Sequence, residues 1–330
     1  MPYANIVEVM GRTPLVALRR VIDGCPPRVY AKLENLNPGG NLKDRIAVAM
    51  IEDAERRGAL KPGWTIIEPT SGNTGISLAI VAAVKGYRCI ATVPDKASSE
   101  KLQLLQTLGA EVVLCPSEAP RDSPKNYYEV AERLHREIPN SFLPDQYSNK
   151  MNPEAHYRTT GPEIWDDTEG SVTHFVCGMG TGGTISGVGR FLKEKNPEVR
   201  VVGVDAFGSV LANRFYGQQA ETPESWELEG IGCTIIPGTL HFEYIDEIVR
   251  VEDRDAFRYA RRLAREEGLV VGGSSGAVTA AAVRMARDLS EDSVVVVLFA
   301  DTGERYLSKV HSETWLRDHG FMDGPPPGPL

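Results

Sequence analysis

The stretch CGMGTGGTISG, Cys177 to Gly187, decides how the chain is to be read. Gly178, Gly180 and Gly183 stand in the spacing G-x-G-x-x-G, which in many enzymes wraps the pyrophosphate of a dinucleotide. THFVC before it reads as a buried strand and ISGVGRFLKEK after it as a helix. An acidic residue falls near the expected offset of roughly 20 positions, since Asp205 ends the next strand-like run, RVVGVD. On this segment alone an NAD-binding dehydrogenase is one reading. The physical content is narrower: glycines at a helix N-terminus favour an anion, whichever molecule carries it.

Outward from this turn, β-rich runs alternate with helical segments: TIIEP, CIATVP, VVLCP, THFVC, RVVGVD, GLVVGG and SVVVVLFAD. Such alternation predicts an α/β chain of parallel sheets covered by helices. From Trp64 to about Phe142, four strand candidates are separated by helices at Gly75 to Val84, Ser99 to Leu108 and Lys125 to Glu137. That is enough for a small α/β domain. A second series begins at His174, and Tyr147 to Trp165 reads as the crossover into it. With 330 residues the chain exceeds what one core usually organises, so two domains are expected. The proline-rich end DGPPPGPL, residues 323–330, is expected to be disordered.

Composition excludes several classes. A net charge of -9 without a basic cluster argues against nucleic acid as the main partner. No stretch approaches the roughly 18 uninterrupted apolar residues of a membrane span, and the first residues lack a signal-peptide pattern. A cytoplasmic protein with no membrane partner is the expectation. Cys25, Cys89, Cys115, Cys177 and Cys233 are scattered through apolar runs, which predicts buried thiols rather than disulfides. No metal-ligand spacing is present.

Two further glycine-rich turns open helices. EPTSGNTG (Glu68 to Gly75) follows TIIEP, and GGSSGA (Gly272 to Ala277) follows the strand-like GLVVGG. Three anion-favouring turns suggest one ligand with several polar groups at the carboxyl ends of strands. The last turn also satisfies G-x-S-x-G, with Asp301 and His311 following in triad order, so a serine esterase using Ser274 is a live alternative. Against it, His311 lies in a segment that reads as an amphipathic helix, with Leu307, Val310, Trp315 and Leu316. Upstream, NPGGNLKDRIAVAMI places Lys43 in the first turn of a long helix, with Asn41 as a good N-cap. The apolar run beginning at once after it predicts burial, which would depress the lysine pKa and make the amine nucleophilic near pH 7.

In this order and at these separations, NPGGNLKDR, EPTSGNTG, GTGGT and GGSSGA resemble the pyridoxal-phosphate enzymes of fold-type II, in the cysteine synthase and cystathionine β-synthase branch. The resemblance runs from GRTPL (Gly11 to Leu15) to GERYLS (Gly303 to Ser308). One departure is Asn41, where the family usually has serine. The resemblance implies two αβα-layered domains of the tryptophan synthase β-like architecture. Residues 1–44 and 147–322 would form the larger, cofactor-binding domain, and 45–146 a smaller mobile one. A homodimer is implied too.

The same resemblance implies pyridoxal 5'-phosphate as cofactor, with Lys43 as its Schiff-base lysine and catalytic base. Asn73 would bond the cofactor 3'-hydroxyl. Gly180, Thr181, Gly182, Gly183 and Thr184 would hold the phosphate. Ser274 would face the pyridine nitrogen, where a neutral hydroxyl disfavours transamination relative to β-replacement. Thr70, Ser71, Asn73 and Thr74, with Gln146, would bind the substrate carboxylate, and Gly230 in LEGIG would line the mouth. TTGPEIW and GERYLS look like cysteine synthases; VPDKASSEKL, LPDQYSN and DAFGSVL look closer to cystathionine β-synthases. Haem-binding and regulatory segments like those of the latter are not expected. The expectation therefore leans to O-acetylserine plus sulfide giving cysteine and acetate, with serine or O-acetylserine plus homocysteine as the alternative.

Overall fold

A computed structural model of the chain describes residues 2–22, 24–218 and 225–322. The end expected to be disordered lies outside the described residues. In chain order the strands are β1 (Leu15–Ala17), β2 (Arg28–Leu33), β3 (Thr65–Pro69), β4 (Arg88–Pro94), β5 (Glu111–Cys115), β6 (Ser141–Phe142), β7 (His174–Gly178), β8 (Arg200–Ala206), β9 (Glu247–Val251) and β10 (Val294–Phe299). The helices are α1 (Lys43–Arg56), α2 (Asn73–Lys85), α3 (Ser99–Thr107), α4 (Tyr127–Glu137), α5 (Met151–Arg158), α6 (Thr160–Asp167), α7 (Gly183–Lys195), α8 (Leu211–Phe215), α9 (Asp253–Arg262), α10 (Gly273–Ala286) and α11 (Glu313–Asp318).

Two sheets result. The larger has the order β1-β2-β10-β7-β8-β9 and is parallel except for β1, which pairs antiparallel with β2. The smaller, β5-β4-β3-β6, is parallel throughout. Position in the sheet explains the sequence of each strand. All of β10 is buried because it is a central strand with helices on both faces. Val295, Val297 and Phe299 face one hydrophobic core, where α9 and α10 pack, and Val296 and Leu298 face the other, with α7. β3 divides likewise, Ile66 entering the core beneath α1 and α2 and Ile67 the one beneath α4.

The four strands expected between Trp64 and Phe142 form the smaller sheet, with α2, α3 and α4 within two residues of their expected bounds. GLVVGG differs. It forms no strand; only an isolated bridge joins Val271 to Thr302, and Val270 is exposed. An apolar run bounded by glycines satisfies the strand pattern, but here it is an extended lead into α10. The segment around His311 differs as well, since helix α11 starts only at Glu313. Among the described residues no helix is long and apolar enough to cross a membrane. Four of the five cysteines are buried and Cys25 is half-buried.

Candidate functional site

The sheets meet where their strands end, and the turns entering α1, α2, α7 and α10 converge there. Lys43 opens α1. Asn41 caps this turn: its Oδ1 accepts from the Lys43 amide at 2.8 Å and the Ser77 hydroxyl at 3.2 Å, while Nδ2 donates to the Gly39 carbonyl at 2.8 Å. The residue that departs from the family pattern thus still caps the helix and adds a tie to α2. Burial pushes the Lys43 amine below the usual lysine pKa, against the opposing influence of Cys177 and Asp301. The Cys177 thiol is itself pushed up to about 12 by burial, so it stays neutral near pH 7. No hydrogen bond or ion pair engages the Lys43 Nζ among the described residues.

Opposite Lys43, the turn between β7 and α7 carries Gly180 to Thr184. Gly182 adopts φ +80, and a Cβ there would lie 2.5 Å from the Leu240 Cβ. A Cβ on Gly180 would lie 2.6 Å from the Gly230 carbonyl, so these two loops are in backbone contact. A Cβ on Gly183 would overlap the Asn152 Oδ1. Asn152 in turn donates to the Thr181 hydroxyl at 3.1 Å, and Thr239 donates to the Thr181 carbonyl at 2.6 Å. Among the described residues the backbone amides of Thr181, Gly182, Gly183 and Thr184 have no protein acceptor. Four amides at a helix N-terminus beside two threonine hydroxyls form a donor set suited to a phosphate dianion.

The second turn repeats this logic on a smaller scale. The Thr70 Oγ1 accepts from the Gly72 and Gly75 amides, which rounds the chain into α2. The amides of Ser71, Asn73 and Thr74 are left without protein acceptors among the described residues. Thr74 donates to the Gln146 Oε1 at 2.7 Å. Gln146 is held from behind by Glu68, whose carboxyl accepts from the Asp145 and Gln146 amides. Burial raises the Glu68 pKa to about 8. A second set of free amides therefore lines the same cavity as Gly180 and Thr181.

Every residue that the family resemblance assigns to the site, except Gly183, lines one of two adjoining cavities, which share Lys43, Gly180, Thr181, Gly230 and Ser274. Gly183 stands behind them against Asn152. A base, two anion cradles and a neutral hydroxyl, Ser274, thus surround one space, which fits a phosphorylated aldehyde cofactor together with an amino acid. Sequence reasoning passed over Asn152, Thr239, Arg305 and the role of Asp301. Asn73 donates to the Asp301 Oδ2 at 2.7 Å and accepts from the Arg305 Nη1 at 2.5 Å, contacts more than 200 residues apart that no local pattern signals.

Both rival readings lose their residues. Asp205 is fully buried, its carboxylate accepting from the Ala206 and Ala212 amides at 3.0 and 2.9 Å, so it cannot reach a ribose. His311 Nε2 contacts the Val271 carbonyl at 2.9 Å, and the Asp301 carboxylate serves Asn73 and Tyr306; Ser274 has neither as a hydrogen-bond partner. No Ser-His-Asp relay is assembled.

Comparison with known proteins agrees with this geometry. Residues 6–301 match the family described as pyridoxal-phosphate dependent enzyme. Cystathionine beta-synthase of Apis mellifera is 47% identical over 96% of the chain, which spans 63% of that protein's length. Cysteine synthase of Staphylococcus aureus is 45% identical over 93% of the chain and 96% of its own. The crystal structure of an O-acetylserine dependent cystathionine beta-synthase from Helicobacter pylori superposes with a TM-score of 0.86 at 40% identity, covering 94% of this chain and 98% of that one. Fold, donor set and sequence agree, and the chain belongs to the pyridoxal-phosphate dependent enzymes of fold-type II.

Proposed function

We propose that the protein catalyses β-replacement on a serine derivative, with O-acetylserine as donor and sulfide as nucleophile, giving cysteine and acetate. The observation that carries this reading is the convergence of Lys43 with two separate sets of unsatisfied amides, one at Thr181 to Thr184 and one at Ser71 to Thr74. When bound, pyridoxal 5'-phosphate supplies the electron sink that acidifies the substrate Cα and lets the β-substituent depart. The residues do the rest. Gly180 to Thr184 hold the phosphate, Asn73 meets the ring oxygen and Ser274 offers a neutral partner to the ring nitrogen. Thr70, Ser71, Thr74 and Gln146 bind the substrate carboxylate, which aims the Cα proton at Lys43 Nζ. That amine, whose pKa burial lowers, takes the proton and later returns it.

A second nucleophile has support of its own. Lys96, Glu227, Glu229 and Lys309 line the cavity. Charges of both signs suit an amino-acid thiol such as homocysteine, whereas sulfide needs none. The separate sheets and cores support residues 45–146 as a smaller domain that closes over the site, and a homodimer is what the family resemblance implies. Purified protein should be yellow, and borohydride should fix the cofactor's mass on Lys43. A colourless protein that gains no mass when supplied with the cofactor rejects the reading. Turnover of O-acetylserine and serine, each with sulfide and with homocysteine, then identifies donor and nucleophile.

A further inference from the structure

Both ends of the Asn73 carboxamide are held by residues from the far end of the chain. Its Nδ2 donates to the Asp301 Oδ2 at 2.7 Å and its Oδ1 accepts from the Arg305 Nη1 at 2.5 Å. A carboxylate only accepts and a guanidinium only donates, so this pair fixes which end of the amide is which. The arrangement is itself held in place. Asp301 is 1% exposed, and its Oδ2 also accepts from the Tyr306 hydroxyl at 2.6 Å. Its other oxygen packs on Gly272, where a Cβ would overlap it. Arg305 also donates to the Gly39 carbonyl, in the loop leading to Lys43.

The count of hydrogens has a consequence. An amide has two N–H bonds and one carbonyl. With its carbonyl end held by Arg305 and one N–H by Asp301, the amide cannot turn over, and its second N–H is the donor left for a ligand. We propose that Asp301 and Arg305 are positioning residues that make Asn73 an obligate donor, so that the site selects the deprotonated, acceptor form of the cofactor's ring oxygen. This rests on the reading that Asn73 meets that oxygen. An unclamped amide could rotate and present its carbonyl instead, which would favour the protonated form.

The test uses the holoenzyme and reads the cofactor. Asp301→Asn keeps the side chain's size but can donate as well as accept. Asp301→Ala, checked for folding by the melting temperature of its cofactor-free form, removes the contact altogether. The readouts are the pH at which the visible absorption band changes and the dissociation constant of pyridoxal 5'-phosphate. Each variant should move the band's transition to higher pH and weaken cofactor binding by roughly tenfold, the scale of one hydrogen bond to a charged group. In a double-mutant cycle with Asn73→Ala, the Asp301 substitution should add little once Asn73 is gone. Full additivity, or an unmoved transition in Asp301→Asn while Asn73→Ala moves it, overturns the positioning role alone. If Asn73→Ala itself leaves band and affinity unchanged, the reading of Asn73 fails and the clamp falls with it.

Discussion

The Thr74 hydroxyl donates to the Gln146 Oε1 at 2.7 Å, joining the first turn of α2 to the loop that follows β6. The Gln146 Nε2 donates to the Pro69 carbonyl at 3.5 Å, so both ends of its amide are held beside the turn that carries Ser71. Substituting Gln146→Ala removes one ligand for the substrate carboxylate and leaves the cofactor's contacts alone. KM for O-acetylserine should rise about tenfold with little change in cofactor affinity. Steady-state kinetics alongside cofactor titration checks this, and a matching loss of cofactor would contradict it.

Lys43 should reveal its burial without any ligand. Because its folded-state pKa lies below the ordinary 10.5, the unfolded chain binds more protons in the interval between the two values. Stability of the cofactor-free protein should therefore gain from this group as pH rises through that interval. Lys43→Met should flatten the dependence and raise the melting temperature at neutral pH. In the holoenzyme the same change should cut turnover by at least about a thousandfold, the upper part of the range for loss of a general base.

Glu68 works in the opposite sense. Its folded pKa of about 8 exceeds the ordinary 4.5, so the folded state holds a proton that the unfolded chain has released. Stability from this group is fully present below the unfolded value and declines as pH rises to about 8. The slope is at most about 1.4 kcal/mol per pH unit. Glu68→Gln keeps an acceptor for the Asp145 and Gln146 amides and should abolish that decline in urea titrations between pH 5 and 9. An unchanged slope would place the titration elsewhere.

Glycines 183 and 230 should respond differently to alanine. At Gly183 the added methyl overlaps Asn152, so Gly183→Ala should destabilise by about 1–3 kcal/mol and weaken phosphate retention. At Gly230 the space is open and only φ +85 resists the change, with a cost of about 1 kcal/mol. Thermal melts with and without cofactor distinguish the two.

Much of this site was legible because chemistry and punctuation coincide. Lys43, Asn73 and Thr181 each stand at a glycine-rich junction between a strand and a helix, where an unpaired amide and a close backbone approach are both required. Asp301 and Arg305 were not legible in this way. Their partner lies more than 200 residues upstream, and neither an aspartate at a strand end nor an arginine two residues before Leu307 signals it. GLVVGG misleads for a related reason: Val271 is buried and extended, yet a strand also needs neighbours to pair with, and Val271 finds only Thr302. Strand β1, with three residues, carries too few for alternation to stand out.

Asn41 has one more consequence. Its backbone bridges to Asp301 at the edge of the larger sheet's site, while its side chain holds Ser77 in α2. One residue therefore touches both halves of the molecule at the floor of the cleft. It is a shared anchor, and Lys43, whose amide the same side chain holds, takes its place from both sheets at once.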